Sequence, residues 1–253
     1  MPVGTIVHRL ESVPSTNDAA RTLALQGAEH GTAVLAGAQT QGRGTKGRIW
    51  HSPPGLGVYA SFILRGPDGG PVPHPHVLPL AAGLAAVDAV AAVTCVEARL
   101  KWPNDIVHDG KKLGGILSEA VSGASGGDFA VVGIGINVGH GPGDFLEGLR
   151  ATSTSLRLLG AAGASVEGLF AALCPILEGW YNVLARGDKE AVIRTFEARS
   201  AFSPGQAVRV ETAHGVFTGE YRGLDAEGRL VVARGGGAGT VALDALLSLE
   251  RAS

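Results

Sequence analysis

The chain has 253 residues, of which 45% are hydrophobic and 17% charged, and its formal net charge is -2. This balance is typical of a soluble globular protein and excludes a disordered chain or one whose overall field recruits nucleic acid, so any anion site must be built locally. Cys95 and Cys174 lie in apolar stretches and no signal peptide or membrane span is evident, which predicts two buried thiols in a cytoplasmic protein.

Helix and strand signals alternate as far as residue 202. Ser15 or Thr16 can cap a first helix, with Asp18 in its first turn and Gly27 at its end. The predicted helices cover about 16–26, 76–93, 154–159, 165–186 and 189–200. The predicted strands are GTAVLAGAQT, GLGVYASFILR, VEARLKW, KLGGILSEAVS and DFAVVGIGINVG, of which the last two form a hairpin joined by GASGG.

The composition changes after Ser203-Pro204-Gly205. Short, turn-separated runs follow, namely QAVRVET, GVFTGEYRGLD, GRLVVARG and GTVALDALLSLE, and most have no helix between them. This pattern predicts a small β-barrel joined to the rest of the chain by a Pro-Gly turn. We therefore expect an α+β protein with a larger domain over residues 1–202 and a barrel over 203–253.

Residues 42–50, GRGTKGRIW, set three glycines among three cations, and we call this segment the basic loop. Glycines cost backbone entropy and clustered cations repel one another, so an anion is expected here. The glycines match the dinucleotide fingerprint GxGxxG, but Pro53-Pro54 follows where a helix should begin, and Asp68 lies in a loop. A dinucleotide site is therefore not supported, whereas a solvated basic hairpin and a phosphate site both stay open.

Four segments carry polar residues that packing does not require. They are Ser15-Thr16-Asn17, Gln39 to Arg48, KWPNDIVHDGKKLGG (which includes Lys101, Asn104, Asp105 and Lys112), and Asn137 at the end of an apolar strand. Helix capping explains the first, and a surface turn explains Asn104-Asp105. Neither explains the lysines on both sides of that turn, which favour a nucleotide site.

A nucleotide triphosphate accounts for these residues together. Backbone N–H groups of the basic loop, with Arg43 and Arg48, would hold phosphate oxygens. Asp105 would bind Mg²⁺ with Asn137 nearby, because this ion commonly takes one or two carboxylates plus phosphate oxygens. Lys112 would place its charge at the α-phosphate. Since GRGTKG lacks the Walker pattern, the residues indicate phosphoryl or nucleotidyl transfer by some other arrangement.

The segments STN, QTQGRGTKGRIWHSPPGLGVYAS, KWPNDIVHDGKKLGGIL and GIGINV, in this order and at these separations, closely resemble those of biotin protein ligases. The resemblance covers nearly the whole chain. It implies a class II synthetase-like catalytic domain, with a mixed sheet and flanking helices, and an SH3-like barrel. The chain looks like the catalytic-only class, without the N-terminal DNA-binding domain of repressor-type relatives. We therefore expect neither a DNA nor a membrane partner, and a monomer or weak homodimer.

The resemblance implies a reaction in two steps. The biotin carboxylate attacks the α-phosphate of ATP in the presence of Mg²⁺, and a lysine of a biotin carboxyl carrier domain then takes biotin from biotinyl-5′-AMP. A loop that closes over this anhydride would protect it from water. The resemblance assigns catalysis to Lys112, Arg48 and Arg43. It assigns biotin to Ser15, Thr16, Asn17, Gln39, Gly42, Arg43, Lys112, Gly114 and Gly115, ATP to Arg48, Trp50, Asn104, Lys112 and Asn137, and the metal to Asp105.

One position departs from the family pattern. The family commonly reads GRGRxGR, and Thr45 stands here in place of the second arginine. That arginine usually helps to grip the intermediate, whereas threonine carries no charge and Lys46 is not a bidentate clamp. We therefore expect weaker retention of the adenylate.

Two other functions fit parts of the sequence. A lipoate or octanoate ligase or transferase shares the fold and chemistry, but the basic loop and the KWPND-to-lysine spacing favour biotin. A non-enzymatic nucleic-acid binder would need a basic face and stacking aromatics, against a net charge of -2 and 5% aromatic residues. His74 and His76 have no acid or cysteine at ligand spacing, which indicates a surface loop rather than a metal site.

Overall fold

The computed structural model describes residues 1–122, 127–212, 215–235, 237–241 and 246–252. The strands in chain order are β1 Val7–Val13, β2 Ala33–Gln39, β3 Gly57–Arg65, β4 Arg99–Lys101, β5 Asp105–His108, β6 Lys111–Val121, β7 Phe129–Asn137, β8 Ala207–Thr212, β9 Gly215–Leu224, β10 Leu230–Arg234, β11 Gly237–Val241 and β12 Leu246–Arg251. The α-helices are α1 Thr16–Leu25, α2 Leu78–Val93, α3 Val166–Ala185 and α4 Lys189–Ala198.

The first seven strands form one mixed sheet in the order β1-β2-β3-β7-β6-β5-β4. β1 and β2 run parallel, and the other neighbours are antiparallel. The hairpin of β6 and β7 is present, with Gly115 opposite Gly135, although residues 123–126 of its connection lie outside the described residues. The expectation of a mixed sheet with flanking helices is therefore confirmed.

Helices cover both faces of the sheet at β3. α2 and α3 pack together over the face that carries Phe62 and Leu64, and α1 packs over Ile63 on the opposite face. Every residue of β3 except the last is therefore buried, which explains its nearly continuous apolar run. α1 spans only 10 residues, so beside its N-terminus the second face of the sheet stays open to the basic loop.

α3 is the one helix in the described ranges that is long and apolar enough to cross a membrane. Its buried residues recur at helical spacing and are Leu169, Phe170, Leu173, Cys174, Leu177, Tyr181 and Leu184. They form a single stripe that packs into the core against α2, while the opposite side of the helix is polar or partly exposed. This one-sided burial is typical of a core helix in a globular protein.

Several local expectations are wrong. Residues 154–159 form a hydrogen-bonded turn instead of a helix, and the turn ends at Gly160, whose φ is +87°. Cys95 is exposed, because it lies in the connection after α2 rather than inside the apolar helix, whereas Cys174 is buried as expected. Asp105–His108 was not predicted as a strand, yet it pairs with both β4 and β6. β1 was not predicted, since its alternation of side chains is poor.

The C-terminal strands form an antiparallel sheet in the order β11-β10-β9-β8-β12. The run GTVALDALLSLE was expected as one strand but contains the end of β11 and most of β12, and residues 242–245 between them lie outside the described residues. The interior of this sheet joins the main core, and Trp102 Nε1 donates a hydrogen bond to the Gly228 carbonyl at 2.9 Å. The connection between β4 and β5 is therefore in direct contact with the connection between β9 and β10.

Candidate active site

A cavity of about 690 Å³ opens on the uncovered face of the main sheet. β3, β6 and β7 form its floor, and the N-terminus of α1, the basic loop and residues 145–153 line its sides. Every site residue predicted from the sequence lines this cavity, except Gly42 and Gly114. Segments that are distant in the sequence thus surround one space of the size that a small-molecule ligand needs.

The end of the cavity beside α1 is a cluster of buried polar groups. Gln39 Oε1 accepts hydrogen bonds from the Thr16 backbone N at 2.8 Å and from Thr16 Oγ1 at 3.1 Å. Ser61 is fully buried in β3, and its Oγ lies 2.8 Å from Thr16 Oγ1 and 2.6 Å from Asn17 Oδ1. Because these groups hold one another, they can meet a polar ligand with little rearrangement.

Ser15 completes this polar end. It is the N-cap of α1 and is buried, yet its hydroxyl makes no capping hydrogen bond to the helix. An N-cap serine normally accepts from the second or third helical N–H group. Ser15 lines the cavity instead.

Glycines on β6 and β7 lower the floor of the cavity. A Cβ at Gly133 would lie 2.2 Å from Asn17 Oδ1, and one at Gly135 would lie 2.6 Å from the Trp50 indole. Gly114 faces the core instead, where a Cβ would lie 2.9 Å from Ile106. Adjacent strand residues point to opposite faces, so Gly115 faces the cavity and Gly114 does not.

Lys112 supplies the central positive charge. Its Nζ lies 2.5 Å from Asp105 Oδ1 and 5.5 Å from the centroid of the Trp50 ring. Its backbone N donates to the Thr152 carbonyl at 2.7 Å, and its carbonyl accepts from Thr154 N at 2.9 Å. The segment 152–154 therefore fixes the backbone position from which this lysine reaches into the cavity.

Asn104 and Asn137 are oriented by backbone carbonyls. Asn104 Nδ2 donates to the Ile116 carbonyl at 2.8 Å, and Asn137 Nδ2 donates to the Thr154 carbonyl at 3.0 Å. Each amide thus turns its nitrogen toward the frame of the protein and its oxygen the other way. Both residues line the cavity, where these oxygens can meet a nucleotide or a cation.

The acidic side chain Asp105 in the cavity suits Mg²⁺, which needs few protein ligands, better than a metal ion whose ligands all come from the protein. Over the described residues, no three or more His, Cys, Asp or Glu side chains cluster as a metal site. Asp105 offers one carboxylate, next to the amide of Asn104. Mg²⁺ suits such a donor set, because it keeps waters and takes substrate phosphates as further ligands.

The basic loop is a short hairpin. Arg43 pairs with Ile49, and Trp50 N donates to the Gly42 carbonyl at 2.8 Å. Gly42 lies inside the hairpin, where a Cβ would be 2.3 Å from the Trp50 carbonyl. At the other end, Arg48 Nη2 donates to the Leu247 carbonyl of β12 at 2.5 Å, so the loop contacts both sheets.

Arg43 is bound by two carboxylates of the protein. Its Nη2 lies 2.7 Å from Glu119 Oε2 on β6 and 2.8 Å from Asp18 Oδ1 on α1. Its guanidinium group therefore ties the basic loop to α1 and β6.

Comparison with known proteins identifies the family. Residues 10–137 match the biotin/lipoate A/B protein ligase family, and residues 205–246 match the biotin protein ligase C-terminal domain. The chain belongs to the biotin/lipoate A/B protein ligase family. Within this family the resemblance to biotin protein ligases, drawn above from the sequence motifs, is confirmed by the C-terminal match and by the relatives below.

Relatives of this family member cover most of its length. The bifunctional ligase/repressor BirA of Bacillus subtilis is 36% identical over 86% of this chain and 66% of its own length, so the chain spans about two thirds of that relative. The biotin--[acetyl-CoA-carboxylase] ligase of Mycobacterium tuberculosis is 36% identical over 88% of this chain and 81% of its own length. The biotin protein ligase of Aquifex aeolicus, solved with biotin and ATP, superposes with a TM-score of 0.81 at 27% identity, covering 98% of this chain and all of that one.

Sequence reasoning missed several residues at the site of this ligase family member. Ser61 and Glu119 both bond Asn17, and Asp18 pairs with Arg43. Ser61 could have been found, because it is the one polar residue inside the apolar run GVYASFIL. Glu119 carried no comparable signal, since an acidic residue near the end of a strand is ordinary.

His140, next to the cavity segment, gives the protein a pH dependence. It is buried and stacks on Phe145 with ring centroids 5.0 Å apart. Burial, and then the nearby His51, lower the pKa of His140 to about 4. The unfolded chain has a histidine pKa near 6.5, so the unfolded state binds a proton more readily. Stability due to neutral His140 is therefore complete above pH 6.5 and is lost as the pH falls toward 4.

We expect the free energy of unfolding to fall by about 3 kcal/mol between pH 6.5 and pH 4, because His140 takes up a proton more readily in the unfolded state. Denaturant titrations across this range would show a smaller decrease for His140→Phe, which keeps the stacking on Phe145 and cannot be protonated. The same decrease in both proteins would contradict this account.

Proposed function

We propose that this chain is an ATP-dependent biotin protein ligase. It joins the biotin carboxylate to the α-phosphate of ATP, releases pyrophosphate, and passes biotin from biotinyl-5′-AMP to a lysine of a carrier domain. The observation that carries this proposal is the cavity, which has a buried, uncharged polar end and a lysine-carboxylate pair under one basic loop. Biotin is a neutral cyclic urea with an acid tail and needs the first of these environments, whereas ATP needs the second. The reaction requires both in one space.

Biotin takes the polar end of the cavity in this proposal. The hydroxyls of Ser15 and Thr16 and the amides of Asn17 and Gln39 supply both donors and acceptors, as a ureido group requires. The groups hold one another through short hydrogen bonds. An acid without a polar head group would leave unmet the hydrogen-bonding capacity that these groups do not use on one another, that of Ser15 above all, which disfavours it.

ATP takes the other end. Lys112 faces both the acid and the α-phosphate, so that its charge offsets the repulsion between the two anions as they approach. Asp105 and Asn104 would hold Mg²⁺, which screens the polyphosphate when bound. Because Asp105 now contacts Lys112, binding of the ion would free the lysine for the reacting groups. Asn137 and Trp50 are proposed to contact the nucleotide.

The basic loop covers the anhydride. Gly42 allows its backbone to lie close to the polar end, and a closed loop excludes water from the mixed anhydride. Arg48 is assigned to the nucleotide, and Arg43 is assigned to holding the loop closed through its two carboxylates. Thr45 cannot supply an arginine's charge, and weaker retention of the adenylate stays a prediction.

The rest of the molecule serves the same function in this proposal. The acceptor is the biotin carboxyl carrier domain of a biotin-dependent carboxylase, in the cytoplasm, and the enzyme acts as a monomer or weak homodimer without DNA or membrane. The catalytic domain covers 1–202, and 203–253 forms an SH3-like barrel. Antiparallel pairing of β8 to β12 and the contact between Arg48 and Leu247 support a role of this barrel beside the loop.

The test is pyrophosphate release by the purified chain with ATP and Mg²⁺, given biotin, lipoate or octanoate in parallel. We expect release with biotin alone, followed by transfer of biotin to a carrier domain. Release with lipoate or octanoate instead would overturn the substrate and keep the chemistry. Silence with all three acids from a folded protein would overturn the proposed function.

A further inference from the structure

Glu119 contacts two parts of the site without lining the cavity. Its Oε2 lies 2.8 Å from Asn17 Nδ2, at the polar end, and 2.7 Å from Arg43 Nη2, in the basic loop. Glu119 pairs with Val131 across β6 and β7, which places it on the face of the sheet that α1 covers. A single carboxylate oxygen therefore joins the polar cluster to the loop.

This carboxylate orients Asn17 together with the Leu117 carbonyl, which accepts from Asn17 Nδ2 at 3.3 Å. Both partners only accept hydrogen bonds, so Asn17 must turn its NH₂ group toward them. Asn17 Oδ1 then faces Ser61 Oγ at 2.6 Å and lies above Gly133. The single proton of the Ser61 hydroxyl then goes to this oxygen, while the proton of the Thr16 hydroxyl goes to Gln39 Oε1. Glu119 thus helps to set the pattern of donors and acceptors at the polar end.

Glu119 depends on the basic loop for its counter-charge. The Glu119 side chain is 29% exposed, and Arg43 is the cation that pairs with it among the described residues. Arg43 begins the hairpin by pairing with Ile49, so this ion pair ties the loop to β6. If the loop opens, Glu119 loses its counter-charge, and its hold on Asn17 changes with it. A charge-assisted bond in a half-buried place is strong enough to carry such a coupling.

We propose that Glu119 is a positioning residue that couples recognition of the acid's polar head group to closure of the basic loop. The proposal rests on the proposed function, since it concerns binding of a cyclic urea acid and retention of its adenylate. Asp18 offers a matched control, because it also pairs with Arg43 but bonds nothing at the polar end in the interactions described.

The test compares Glu119→Gln with Asp18→Asn in the full chain. Three quantities are measured, namely KM for biotin and KM for ATP in pyrophosphate release and the half-life of bound biotinyl-5′-AMP. For Glu119→Gln we expect KM for biotin to rise about tenfold, the half-life to fall about tenfold, and KM for ATP to stay the same. For Asp18→Asn we expect a shorter half-life with KM for biotin unchanged.

A second variant keeps the proposal testable if Glu119→Gln does not fold. Arg43→Gln removes the loop's side of the ion pair, and we expect KM for biotin to rise because Glu119 then loses its counter-charge. An unchanged KM for biotin in either variant would overturn the coupling. Equal losses for biotin and ATP, with a lower Tm, would also overturn it, because a general structural defect produces that pattern. Failure of the native protein to release pyrophosphate with biotin would instead refute the proposed function.

Discussion

Replacing Lys112 with alanine will reduce biotin-dependent pyrophosphate release by about 10²–10³-fold, the usual effect of removing one preorganised charge from a reacting centre. The attacking carboxylate and the α-phosphate are both anions, and Lys112 lines the cavity with its Nζ beside Asp105. Its backbone N–H and carbonyl are both bonded by the segment 152–154, so the substitution removes the charge and keeps the backbone. We expect the loss mainly in kcat, because the charge acts most on the transition state.

Lys111→Ala is the matched control for this prediction. Lys111 is exposed at the start of β6 and does not line the cavity, so its removal changes the net charge by the same amount. We expect less than a twofold change in that variant. A Lys112→Ala protein that retains most of its activity would show that another group stabilises the reacting phosphate.

Replacing Gly42 with alanine will release biotinyl-5′-AMP roughly 10–100-fold faster, which corresponds to an overpacking cost of about 1–3 kcal/mol in the closed loop. A Cβ at Gly42 would lie 2.3 Å from the Trp50 carbonyl and 2.9 Å from Ser52 Oγ. The hairpin can relieve this clash only by separating its two strands, which opens the cover over the anhydride. The measurement is the rate at which preformed adenylate, made with labelled biotin, leaves the protein.

Gly44→Ala separates this steric effect from a general effect of losing a glycine. Gly44 has an extended backbone, and a Cβ there would lie 3.3 Å from the Arg48 carbonyl, a contact that a small shift relieves. We expect at most a two- to threefold change in the rate of adenylate release. Equal effects of the two substitutions would mean that loop flexibility, and not the close approach at Gly42, governs retention.

The sequence by itself determined the local elements that have strong periodicity or clear boundaries. The apolar runs of β6 and β7 and the alanine-rich stretch of α2 were predictable, because a long hydrophobic pattern admits one type of structure. Weak patterns failed. β1 has partly exposed side chains throughout, and Asp105–His108 becomes a strand only because β4 and β6 lie on either side of it.

The candidate site divides in the same way. Ser15, Lys112 and Asn137 could be found from the sequence, because packing does not require polar residues at these positions and ligand binding does. The side chains that surround them could not be found in this way. Arg43 could be recognised as a loop cation, but its partner Glu119 lies 76 residues later, and only the strand order of the sheet, in which β3 and β7 lie between β2 and β6, brings them together.

Only the tertiary structure decided which groups share the cavity and which partners orient them. Adjacent glycines look alike in the sequence, yet Gly115 faces the cavity and Gly114 faces Ile106, since sheet register assigns each residue to one face. Ser61 and Asn17 are 44 residues apart and meet because α1 crosses β3. Local composition sets what a residue can bind, whereas strand order and register set what it does bind, because these depend on contacts between segments that are remote along the chain.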